Sequence, residues 1–209
     1  MRLTKMLGLA LVAAIAAMAF IGAGSASAVL CKVKQSPCEA ANQYPVPTTI
    51  LASSPAVKLT GSITVLCPSH VTLIHEKTDT GGKLLGSTTL LDWGTASTPC
   101  TGCTKVTTTA LGTFDDESTG SGNGIILPLN VTVLLQECPF GLDCTAKATN
   151  GTTVLGLTGG TINGTAAATA KTSVTLSGGL CGTSGTWETE KPYIVLSVNG
   201  ATTGSIFQE

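Results

Sequence analysis

The chain has 209 residues, of which 43% are hydrophobic and only 11% charged, with a formal charge of −1. Its one arginine is Arg2, and beyond residue 28 nine lysines face twelve acidic residues, a formal charge of −3. Phosphate and base recognition lean on bidentate arginine and a basic face, so nucleic acid is excluded as a partner, and anionic membrane surfaces are disfavoured on the same ground.

Residues 1–28 read as a cleaved signal peptide. Arg2 and Lys5 form a basic start, residues 6–21 are apolar without charge, and Ala26-Ser27-Ala28 supplies the small-residue cleavage pattern, leaving Val29 first. A lipid anchor at Cys31 is not expected, because Leu30 precedes it where such signals require a small side chain. No later stretch approaches 18 apolar residues, so the mature chain is read as exported, soluble and without a membrane span. Its 34 threonines, almost one residue in five, alternate with Val, Ile and Leu. That composition makes poor helices and good strands, and the expected class is all-β.

Residues 29–47 are expected to form an N-terminal arm. A Cys31–Cys38 bridge would close a short loop, worth roughly 2 to 3 kcal/mol by loop entropy. Tyr44-Pro45-Val46-Pro47 then reads as an extended connector, since a residue before proline is pushed out of the helical region. A single domain follows over 48–209.

Within it, strands are expected over 57–67, 71–77, 84–93 and 106–114. In the first, Ile63, Val65 and Cys67 share one face. A turn is expected at Asp79-Thr80-Gly81-Gly82. The stretch 115–124, Asp115-Asp116-Glu117 followed by Ser and Gly, reads as a solvated hairpin tip. Calcium binding there fails the EF-hand spacing, because Ile126 stands at the twelfth position where a glutamate is needed. An apolar strand over 125–136 is interrupted by Pro128, which argues for an edge or a bulge. Cys138 to Cys144 encloses a compact turn, and Asn150-Gly151 is a strong two-residue hairpin signal. The small-residue run 166–170 is read as a strand facing a crowded layer, in preference to a short helix, because 172–177 continues with period two. Strands over 185–189 and 193–198 follow, and 199–209 reads as a last hairpin or frayed end.

Eight cysteines, all beyond the leader, point to a disulfide framework. Cys100-Thr101-Gly102-Cys103 resembles a redox dithiol or half a zinc site, but the run 104–111 is β-branched at five of eight positions. Without a helix after it, neither thiol gains a lowered pKa. A structural zinc site would need a second close pair, which Cys138 and Cys144 do not provide. The pair is read as a structural staple. Local bridges are expected for Cys31–Cys38 and Cys138–Cys144, with Cys67 and Cys181 each taking one of the central sulfurs of Cys100 and Cys103.

Catalytic signatures are missing. His70 and His75 are five residues apart on one strand, on opposite faces, which is wrong for one metal. There is no nucleophile elbow, His-Glu-x-x-His motif or phosphate loop. Glu188 and Glu190 share a strand face beside Trp187, so carboxylate chemistry is conceivable, although two solvated glutamates on an outer face is the plainer reading. Trp93 and Trp187 are expected in the core. The sequons at Asn130, Asn150 and Asn163 follow from the threonine content and carry little weight.

The Leu30 to Cys38 block, the Tyr44-Pro45 connector, Cys100-Thr101-Gly102-Cys103, Leu157-Thr158-Gly159-Gly160 and Cys181 before Thr186-Trp187-Glu188-Thr189 together resemble a paralogous group of small secreted, Thr/Gly-rich, disulfide-bonded β-proteins from soil actinobacteria. The resemblance implies export and a β-sandwich-like domain, and carries over no catalytic residue. The chain departs from the group by a longer C-terminal strand beyond Trp187. The expectation is therefore an antiparallel, immunoglobulin-like sandwich with a disulfide-tied arm. Its function is expected to be non-catalytic, a monomer working on an extracellular or cell-envelope partner without cofactor or metal. The alternatives are a secreted hydrolase using Glu188 and Glu190, or a small-ligand binder with a pocket between the sheets.

Overall fold

The computed structural model describes residues 28–78, 83–148 and 154–209. The expected turn at 79–82, the Asn150-Gly151 hairpin and residues 1–27 of the leader lie outside the described residues. The described chain is all-β, and every strand pairing is antiparallel. In chain order the strands are β1 (Leu30–Cys31), β2 (Thr48–Thr60), β3 (Thr64–Thr78), β4 (Leu84–Trp93), β5 (Lys105–Ala110), β6 (Thr113–Gly120), β7 (Asn123–Leu129), β8 (Thr132–Cys138), β9 (Leu142–Ala148), β10 (Leu155–Thr158), β11 (Gly160–Thr161), β12 (Ala167–Ser177), β13 (Ser184–Thr189), β14 (Tyr193–Val198) and β15 (Ser205–Gln208).

The expected sandwich gives way to a barrel. The ring runs β2, β3, β4, β6, β7, β10, β12, and β13 completes it as the eighth strand by pairing with both β12 and β2. β14 bridges the same two strands at their other end. Length and bending make the closure. β2 and β3 have 13 and 15 residues, and register shifts at Ser54/Val57, Thr72/Leu73 and His75/Lys77 let them coil instead of lying flat. One strand was expected over 57–67. Instead a turn at 61–63, in which Gly61 N–H donates to the Ile63 carbonyl at 2.8 Å, ends β2 and starts β3. Ile63, Val65 and Cys67 do pack into one cluster, as the alternation requires.

β12 changes neighbours along its length. Residues 167–170 pair with β10, whereas 174–177 pair with β9. β9, β8 and β5 continue from there as an outer sheet that curls back toward β4. The seam between them is tied by side chains: Thr108 Oγ1 donates to the Leu91 carbonyl at 2.6 Å, and Trp93 Nε1 donates to Thr108 Oγ1 at 2.9 Å. Pro128 lies on β7 beyond the last residue that pairs with β10, at an edge as its missing N–H demands.

At the opposite end from the cysteine-rich seam, β1, β15 and β11 form a small sheet. Leu30, Ile162 and Ile206 from this region pack with Ile50 and Leu84 of the barrel wall, so the sheet caps the mouth. Of the two readings of 199–209, a last hairpin or a frayed end, the frayed end does not hold: the chain turns back after Val198 and ends in β15, where Gln208 is 3% exposed. The arm folds against it, with Tyr44 Oη donating to the Ser205 carbonyl at 2.8 Å.

Gly86 shows how tightly the wall is built. A Cβ there would stand 2.3 Å from the Ile74 carbonyl oxygen and 2.4 Å from Cζ of the fully buried Phe114. Neither neighbour has room to retreat. Gly86→Ala is expected to cost roughly 1 to 3 kcal/mol of stability, read as a lowered denaturant midpoint at unchanged slope.

Candidate functional site

All eight cysteines are paired, in strict chain order: Cys31–Cys38, Cys67–Cys100, Cys103–Cys138 and Cys144–Cys181. Cys100 and Cys103 act as a staple, each sulfur reaching a different strand. Two expectations are corrected. Cys138 does not bridge to Cys144, and Cys181 takes no central sulfur. The β8–β9 register explains this: Cys144 stands opposite Leu135 and Cys138 opposite Leu142, so both side chains enter the core at different levels. The acidic stretch is corrected too. Residues 115–117 lie in β6, where Asp115 and Glu117 point outward and Asp116 points in, fully buried. Alternation parts the three carboxyl groups, and Glu117 pairs with Lys83 instead.

Glu188 and Glu190 stand on the outer face of the barrel. Lys171 Nζ lies 3.4 Å from Glu188, and Lys58 Nζ lies 3.3 Å from Glu190, as cross-strand ion pairs. Trp187, just before them, points inward, where its ring lies 6.4 Å from that of Trp93. Asn163 of the third sequon is engaged, its amide donating to the Leu196 and Thr202 carbonyls at 3.0 and 2.8 Å. His70 is exposed and His75 is 1% exposed, so the two do face opposite ways.

The inside of the barrel holds the chemistry. Beneath the cap lies a cavity of about 110 Å³, lined mainly by aliphatic side chains such as Ile50, Leu73, Ile126 and Leu157, with Trp187 at its floor. Small residues make the space. Ala52 on β2 and Ala166, Ala167 and Ala168 at the start of β12 line it where larger residues would fill it. The alanine run is a strand, as expected, but it borders this cavity and not a crowded layer. A second cavity of about 40 Å³ lies below, among Leu59, Val106, Val133 and Val174, and Trp187 borders both.

One part of the upper wall is polar. His75 from β3, Asp116 from β6 and Gln208 from the cap line the cavity, and all three are buried. His75 Nδ1 stands 3.6 Å from Asp116 Oδ2, beyond hydrogen-bonding range. Among the described residues neither these atoms, Asp116 Oδ1 nor either amide atom of Gln208 has a hydrogen-bond partner. Burial pushes the Asp116 carboxyl up to about 8; the facing Gln208 amide opposes that rise, and the charge of Glu117 adds to it. Burial lowers the His75 imidazole to about 4. Both groups are therefore uncharged near neutral pH, as a dry wall requires. Phe114 meets the His75 ring edge-on at 5.0 Å and holds it in place. Deeper in, Tyr193 Oη donates to Ser69 Oγ at 2.8 Å, so that hydroxyl is already used.

Alternation holds the one available clue to this wall. Phe114 and Asp116 have the same parity, so a strand that buries the phenylalanine must bury the aspartate. Nothing in the tail marks Gln208. Among the described residues no helix is long and apolar enough to cross a membrane, and no three His, Cys, Asp or Glu side chains converge as a metal site. Compared with protein-family models, with curated proteins and with solved structures, the chain matches none.

Proposed function

We propose that the protein is an exported, non-catalytic binding module that encloses a small apolar molecule in the upper half of its barrel. The observation that carries this reading is the apolar cavity of about 110 Å³ between the cap and Trp187. Protein interiors are close-packed, and a space of this size costs stability unless something fills it. An engineered cavity of about 150 Å³ lined by aliphatic and aromatic side chains takes up benzene, so the occupant here is a single ring or a short chain. Four disulfides support an oxidising compartment, and the leader-like start supports export into it. The monomer is its working state in this reading, because the site is complete within one chain.

Toluene titrated into the oxidised protein, followed by tryptophan emission, is the test. Saturable binding at one site is expected, with an emission change because Trp187 borders the cavity. Ala52→Leu extends a side chain into the space and is expected to abolish the response without loss of stability. Absence of saturation, or saturation unaltered by Ala52→Leu, would reject the reading.

A further inference from the structure

Resting on that reading, we propose that the occupant is a ring-sized apolar molecule bearing one hydroxyl, of the phenol class, with the hydroxyl held by Asp116, His75 and Gln208. The unpartnered atoms on this wall are His75 Nδ1, both Asp116 oxygens, and Gln208 Oε1 and Nε2. Buried polar atoms are almost always paired, and each one left unmade is costly. Here these five gather on one side of a cavity whose other lining is mainly aliphatic and aromatic, with Thr88 and Thr158 also on it and Trp187 Nε1 at the floor without a partner. A ligand that fits must therefore carry polarity at the upper end.

The type of polar group follows from the atoms. With Asp116 protonated, one of its oxygens donates and the other accepts. Gln208 Oε1 also accepts, as does His75 Nδ1 in the tautomer that carries its proton on Nε2, so the ligand group has to donate. The Asp116 O–H and the Gln208 amide are donors on the same wall, so the ligand group has to accept as well, and a hydroxyl does both. A carbonyl or ether offers no proton to the acceptors. A carboxylate would bring a charge beside Asp116 into a dry site with no cation to meet it. An ammonium would need Asp116 ionised, whereas burial keeps that carboxyl protonated near neutral pH. The 3.6 Å gap between His75 and Asp116 leaves neither satisfied by the other.

The wall is also part of the mouth. Gln208 is carried by β15, the middle strand of the cap, and its Oε1 lies 1.6 Å from where a Cβ on Gly124 would stand. Gly124 thus leaves room for the amide over β7, and the strand that caps the mouth also presents the amide. The hydroxyl then sits next to the strand that seals it in.

Calorimetric titration of the oxidised protein with phenol, toluene, anisole and benzylamine tests the assignment. Phenol is expected to bind at least tenfold more tightly than toluene, with anisole and benzylamine no better than toluene. Asp116→Leu is expected to erase the preference while toluene binding persists. Gln208→Leu, on a cap strand and not on a strand of the barrel ring, is expected to reduce it, and serves if the first variant fails to fold. Toluene binding as tightly as phenol would overturn the hydroxyl assignment and leave the cavity reading standing, as would a preference that survives both substitutions. Tighter binding of benzylamine than phenol would overturn the neutral-ligand class. No binding by any of the four would overturn both readings together.

Discussion

Replacing Cys103 and Cys138 together by serine is expected to lower the unfolding free energy by about 4 kcal/mol, against about 2.4 kcal/mol for Cys31 and Cys38. The difference comes from the chain each bridge closes, 35 residues in one case and 7 in the other. Place in the fold acts in the same direction. Cys103 and Cys138 are buried with Val65 and Leu135 in the cluster beneath Trp93, so serine there also buries hydroxyls in an apolar core. The seam beside them relies on few backbone contacts: one isolated bridge joins β3 to the staple, with Thr101 and Leu66 exchanging hydrogen bonds at 2.8 and 3.1 Å. β5 pairs with β8 from Lys105 onward, so the disulfide ties the turn before β5 to the end of β8. Denaturant unfolding of both double variants under oxidising conditions is the check. An equal loss in the two would show that the staple does not organise the lower barrel.

Secondary structure was legible in the sequence where turn residues mark its ends. The strands over 84–93 and 193–198 appear with the expected ends, because glycine, proline or asparagine flanks each. Closure was not legible. A sandwich and a barrel bury the same alternate residues, and they differ in whether β10 finds β12; Pro55 marks the bulge at Ser54/Val57, but nothing in the sequence marks that pairing. Disulfide pairing failed for a related reason. Cys138 and Cys144 are near in sequence, but the register of the hairpin between them sends one to Cys103 and the other to Cys181. The site was legible only in fragments. The alanines of β12 read as a strand against a crowded layer, whereas they border the cavity; Phe114 fixes the phase of Asp116, but the glycines and serines after Glu117 suggest a loop where the strand continues to Gly120. Gln208 required the tertiary fold, because only the docking of β15 brings it to the cavity.

The neutral state of the polar wall has a pH signature that Asp116→Asn is expected to split into its parts. In the unfolded chain the carboxyl titrates near about 3.9 and the imidazole near about 6.5. In the folded protein burial moves these to about 8 and about 4. The raised carboxyl contributes stability that is full below about pH 3.9 and is lost as pH rises toward 8. The lowered imidazole acts oppositely, its stability present above about pH 6.5 and lost as pH falls toward 4. Between about pH 4 and 6.5 folded and unfolded forms of the pair hold the same number of protons, one dissociable proton each, so the two slopes cancel. The wild-type pair gives a plateau there, then a fall of about 1.4 kcal/mol per pH unit above it, reaching about 2 kcal/mol by pH 8. Asparagine keeps the shape of the protonated acid and cannot ionise. Its profile should lack the alkaline fall and instead rise by about 3 kcal/mol from pH 4 to 6.5, with the imidazole now acting alone. Stability measured by denaturant at half-unit steps from pH 4 to 8.5 decides it. Parallel profiles for the two proteins would mean that Asp116 is ionised in the folded barrel, and that its wall is wet.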